Sequence, residues 1–126
     1  MAKSENLERL HQALRAWADG DLGCMAAVEM LIKEQWWLRR LWQMDLIDYT
    51  DDPDLVGPDG PPLAGIDWLK VSKKRWPQSG GELALLMTAC SIGSSQVKVS
   101  LCDVFTSMDS HNSGLAIDGI KAIKEL

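Results

Sequence analysis

Four of the five prolines, Pro53, Pro58, Pro61 and Pro62, fall within ten positions of one another, interleaved with glycines and aspartates. Each lacks an amide hydrogen and has a fixed φ, so no regular helix or strand is expected to run through residues 50–65. A Pro/Gly/Asp-rich loop there divides the chain into a front and a back part. The pattern on either side is helical.

In the front part, Leu7, Leu10, Leu14 and Trp17 recur at helical spacing with charges between them, and Gly20 follows as a stop. Asp21 then has the form of an N-cap for a helix with a wide apolar face, built from Leu22, Met25, Val28, Leu31 and Ile32. A bend is expected near Gln35 and Trp36, followed by a third helix to about Asp48. Beyond the loop, Asp67 caps a short helix that Pro77 ends just after Trp76. Ser79-Gly80-Gly81-Glu82 reads as a capping box opening a helix with Leu83, Leu86, Met87 and Cys90 on its buried stripe, and Gly93 as a left-handed stop. Ser100 with Asp103 repeats the box, and Asp109 or Ser110 caps a last helix carrying Ala116, Ile120 and Ile123. Gly114 and Gly119 inside it each cost about 1 kcal/mol relative to alanine, a cost that close approach of another helix would explain. Gln96–Val99 is too short for a convincing strand. The pattern predicts an all-α single domain over residues 1–126, an irregular orthogonal bundle of about six or seven helices with no secure strand.

The 126 residues, 46% of them hydrophobic, can bury one contiguous core unaided. No apolar run approaches the roughly 18 residues of a membrane span, and the N-terminus is charged and amphipathic, so no membrane association and a cytoplasmic setting are expected. Cys24, Cys90 and Cys102 are odd in number, lie among apolar residues and lack C-x-x-C spacing, which predicts buried free thiols.

Pro77-x-Ser79-Gly80-Gly81-Glu82 is followed by Leu86, Ala89 and Ser91, then by Leu101-x-Asp103 and Asp109-x-x-Asn112. With Ala27-Val28-Glu29-Met30-Leu31-Ile32 and Trp37-Leu38-x-Arg40, this resembles small uncharacterised helical proteins of actinobacteria and their phages, over most of the chain except the proline-rich loop. The resemblance implies a helical fold in a bacterial or phage cytoplasm. It brings no established activity, and it transfers no catalytic or binding residue.

His11 and His111 are the only histidines, so acid-base or metal chemistry at neutral pH would have to recruit one of them. Neither has a neighbouring base-orienter pattern, and Ser107, Ser110 and Ser113 around His111 lack a G-x-S-x-G elbow or an S-x-x-K. An enzyme with an unrecognised site near His11 or His111 is the last-ranked reading. Asp45, Asp48, Asp51, Asp52, Asp54 and Asp59 do not follow the order of a calcium loop and read as a solvated acidic loop or a contact for a basic partner. Gly80-Gly81 has neither phosphate-loop context nor a preceding strand, so no cofactor is expected.

Two segments carry the binding readings. Lys70, Lys73, Lys74 and Arg75, flanked by Trp68 and Trp76, could hold a phosphate chain and stack bases, or be a solvated helix face with both indoles in the core. A net charge of −5 and a pI near 4.9 disfavour nucleic acid as the default partner. The second segment draws on the six tryptophans that stand against one phenylalanine and one tyrosine. Trp36-Trp37-Leu38-Arg39-Arg40-Leu41-Trp42 cannot bury all its apolar side chains in one stripe, because successive helical positions turn by about 100°. Trp36, Trp37, Arg39, Arg40 and Trp42 are therefore the candidate contact residues of a non-enzymatic interaction or regulatory domain that binds a protein partner or itself.

Overall fold

The computed structural model describes residues 3–77 and 80–125. In chain order they form α1 (Lys3–Ala18), α2 (Leu22–Glu34), α3 (Trp36–Gln43), β1 (Ile47–Thr50), α4 (Pro53–Val56), β2 (Leu63–Ile66), α5 (Trp68–Lys73), α6 (Gly81–Gly93), α7 (Leu101–Ser107) and α8 (Ser110–Glu125). The protein is thus mostly helical, with eight helices and one small sheet among the described residues.

Local chemistry starts most of these helices. The Asp21 carboxylate accepts the Cys24 amide at 3.1 Å, Asp67 that of Lys70 at 3.1 Å, Ser100 that of Asp103 at 3.3 Å and Asp109 that of Asn112 at 2.8 Å. Gly20 closes α1 with a φ of 89°. The bend expected at residue 35 is a left-handed Gln35 with φ 73°, which ends α2 and lets α3 leave at a new angle. The helix α6 begins as its apolar pattern predicts, but its N-cap is Gly80 without a side-chain bond, and Ser79 lies outside the described residues.

Three expectations are corrected. The third helix stops at Gln43 rather than near Asp48, because Asp45 turns left-handed at φ 59° and Ile47–Thr50 goes into a strand. The proline-rich loop is not structureless. Asp52 accepts the Asp54 amide at 3.0 Å and Pro53 occupies the first turn of α4, where its missing N–H costs nothing. After Pro62 the chain returns as β2, antiparallel to β1, pairing Ile47 with Ile66 and Thr50 with Leu63. Finally, Gly93 is the last residue of α6 and is not left-handed. A β-carbon there would lie 2.5 Å from the Trp68 ring, so the glycine serves close packing of α5 on α6.

The core is a single cluster fed by every element except α4. The hairpin contributes Ile47, Ala64 and Ile66, and β2 lies along α1. Helices α2 and α6 are at its centre: Ala26, Ala27, Val28, Met30 and Leu31 of one, and Ala84, Leu85, Leu86, Ala89 and Cys90 of the other, are buried. The last helix reaches α2 at Gly119, where a β-carbon would collide with Met30, whereas Gly114 faces open space. One face of α3 also joins the core, and its other face forms the candidate surface.

Candidate interaction surface

Glu34 shapes this surface. Its carboxylate accepts the Trp37 amide at 2.8 Å, satisfying one of the free amides that open α3 directly after the Gln35 bend. From that start, Trp37, Leu38 and Leu41 turn inward and are buried. Trp36 and Trp42 stay on the outside at 45% and 38% exposure, together with exposed Arg39 and half-buried Arg40.

Trp37 is therefore not a contact residue as expected. It is 1% exposed, and its indole N–H donates to the Glu82 carbonyl of α6 at 2.8 Å. Its ring meets Trp36 edge-on at 4.8 Å and Trp76 edge-on at 5.2 Å, which ties α3 to the segment after α5. Trp42 packs edge-on against Tyr49 of β1 at 6.0 Å. Arg39 is in water, while the Nε of Arg40 is buried with no acceptor among the described residues. A buried donor left unmet costs about 1–3 kcal/mol.

The basic segment separates into its parts. Lys70, Lys73, Lys74 and Arg75 are all exposed, but Trp68 is buried and the half-buried Trp76 has its N–H committed to the Val71 carbonyl at 3.0 Å. The Lys74 ammonium lies 5.8 Å from the Trp76 ring centre. The cations are offered to solvent without a free indole platform beside them.

His11 lies in a cleft of about 200 Å³ with Leu7, Glu8, Gln35, Leu38 and Arg39. Burial, and then the Arg15 charge, lower its pKa from the ordinary 6.5. No hydrogen bond orients its ring among the described residues. His111 is exposed on the first turn of α8. The six aspartates near the hairpin, Asp45 to Asp59, are exposed. Cys24 and Cys90 are buried and burial raises both thiols, Cys90 to about 12, whereas Cys102 is exposed, contrary to expectation. No group of three or more His, Cys, Asp or Glu side chains is arranged to hold a metal among the described residues, and no helix among them is long and apolar enough to cross a membrane. No protein-family model, curated protein or solved structure matches the chain.

Sequence reasoning missed Glu34. Its signal was a carboxylate three residues before the buried Trp37, the spacing of a capping contact. Burial is the main influence on this carboxyl and raises its pKa from 4.5; the Trp37 and Trp36 amides oppose the rise, Glu82 adds to it, and His111 opposes it. The folded chain therefore holds this proton more tightly than the unfolded chain, and stability falls as pH climbs above 4.5. Glu34→Gln keeps an oxygen for the Trp37 amide and removes the charge. Thermal melts should show the variant more stable than wild type at neutral pH, with the gap closing below pH 4.5.

Proposed function

We propose that this chain is a non-enzymatic protein-interaction or regulatory domain, an orthogonal helical bundle working in a cytoplasmic setting, that binds a protein partner through the outer face of α3. The observation that carries this reading is the clustering, on one eight-residue helix, of two half-exposed tryptophans with Arg39 and Arg40. Tryptophan and arginine are the residue types that most often dominate binding energy at protein interfaces. Arg39 and the unmet Arg40 donor call for carboxylates, which arginine holds in a two-pronged hydrogen-bonded geometry. The partner face is therefore acidic around an apolar centre. Kinship with the small helical proteins of actinobacteria and their phages belongs to the same proposal, on the residues quoted for it above.

The test is capture of partners from a lysate with nuclease present, comparing wild type with Arg39→Ala plus Trp42→Ala. A stoichiometric protein held by wild type is expected to bind the variant at least 30-fold more weakly, the equivalent of about 2 kcal/mol for a hot spot. Light scattering on the purified chain separates a foreign partner from a second copy, since a dimer would dissociate on the same substitutions. Equal capture by both proteins would remove α3 as the surface. Nucleic acid is the second reading, favoured by the exposed Lys70, Lys73, Lys74 and Arg75, and salt-sensitive binding abolished by substituting these four would establish it.

A further inference from the structure

At the start of α3, below the face described above, Glu34, Trp36 and Trp37 meet Glu82 and Leu85 of α6 and Asn112 of α8 around a cleft of about 270 Å³. Drug-sized ligands occupy pockets of roughly 300–1,000 Å³, so this cleft has the size of a head group. Its lining combines two glutamates, the exposed Trp36 and no lysine or arginine.

The carboxylates are short of positive charge. The one ion pair among the described residues joins Arg15 to Glu29, and the one cation lying over an aromatic ring there is Lys74 on Trp76. Neither Glu34 nor Glu82 forms an ion pair among the described residues, His111 being near enough only to lower the Glu34 pKa as the smallest influence on it, and no cation among them covers the Trp36 ring. Glu34 is half-buried, and its Oε2 accepts the Trp37 amide at 2.8 Å. Burial is the largest influence on its charge and disfavours it, as does Glu82, against the Trp37 and Trp36 amides and His111; an entering cation would offset the first two. Anions are repelled by the same pair. A compact metal ion would gain nothing from the indole and would give up strongly held water. An organic cation can present alkyl groups to the Trp36 ring and Leu85 while its charge lies between the carboxylates, with the Asn112 amide beside it.

We propose that this cleft binds an organic cation, an alkylated ammonium or a guanidinium, with Trp36 as the ring wall and Glu34 and Glu82 as counter-charges. The inference shares Trp36 with the proposed interaction face but does not depend on a partner binding Arg39 and Arg40, because its counter-charges are Glu34 of α2 and Glu82 of α6. The same chemistry arises in a small free amine and in a lysine or arginine side chain of a polypeptide.

The test is a titration followed by the amide and indole N–H resonances of the ¹⁵N-labelled protein. The probes are tetramethylammonium, blocked lysine and blocked arginine, with tert-butyl alcohol as a neutral isostere and sodium chloride as an ionic-strength control. Saturable shifts at Glu34, Trp36, Glu82, Leu85 and Asn112 are expected with a cationic probe and not with the controls. Glu34→Gln and Glu82→Gln keep the shape of the cleft and are each expected to weaken binding by roughly 3- to 5-fold, the upper range for one exposed charge pair. Trp36→Leu should remove saturation while the remaining spectrum reports an intact fold. Saturation by tetramethylammonium alone assigns a small quaternary amine as the ligand; saturation by blocked lysine or arginine alone assigns a side chain. Shifts that never saturate, that the alcohol reproduces, or that both glutamine variants leave unchanged would overturn the proposal.

Discussion

Trp37→Ala is expected to lower the unfolding free energy by about 3–5 kcal/mol, the range for deleting a large aromatic side chain from a core. The indole is 1% exposed and touches the Trp36 and Trp76 rings. Its loss would also remove the indole N–H bond to the Glu82 carbonyl that ties α3 to α6. A domain of this size holds only about 5–15 kcal/mol in total, so the variant would be close to the limit of folding. Trp42→Ala removes the same chemical group from the outside of the same helix and should cost less than about 1 kcal/mol, as surface substitutions commonly do. Urea denaturation followed by far-ultraviolet circular dichroism separates the two by midpoint, with an unchanged slope showing that both still unfold in one step. Equal midpoints for the two variants would mean that Trp37 is not the inward residue of the pair.

Gly23→Ala is the second large effect. On the first turn of α2, a β-carbon at this position would lie 2.5 Å from the Ile92 carbonyl oxygen of α6. That atom belongs to the backbone of a central helix, so no side-chain rotation can make room. The two helices must separate, at a cost of about 2–3 kcal/mol by comparison with other overpacked cores. Gly114→Ala is the control. It meets nothing within 4 Å and should stabilise α8 by up to about 1 kcal/mol through helix propensity alone. Thermal melts of the two variants should move in opposite directions.

These pairs show where legibility in the sequence stopped. Asp21, Asp67, Ser100 and Asp109 could be identified as caps because each bonds an amide three residues on, a relation the chain itself contains. The Gln35 bend was legible for a similar reason, as the point where one apolar period ended and another began. The hairpin was not. Ile47 and Ile66 are distant in sequence, each strand spans four residues, and the prolines between them mask the pairing. Four residues give an alternating pattern too little length to stand out from a helix end.

The candidate site follows the same division. An excess of apolar side chains over what α3 could bury was visible in Trp36, Trp37 and Trp42, because the turn per residue forbids a single stripe. Which of the three faced inward was not visible. Rotation of α3 is set by the Gln35 bend, the Glu34 contact and the acceptor that Glu82 presents from α6. The cleft drew on Glu34, Glu82 and Asn112 from three helices, and no spacing along the chain relates them.

The sequence by itself determined a largely helical chain, the places where most helices begin, and an excess of tryptophan for one helix face, since capping and periodicity act within a few residues. Only the tertiary structure decided that Trp37 goes inside while Trp36 and Trp42 stay outside, that Gly119 meets Met30 while Gly114 meets nothing, and that two carboxylates share a cleft with an indole. Those outcomes depend on helices distant in sequence approaching closely enough that a single β-carbon matters, a condition that local patterning does not encode.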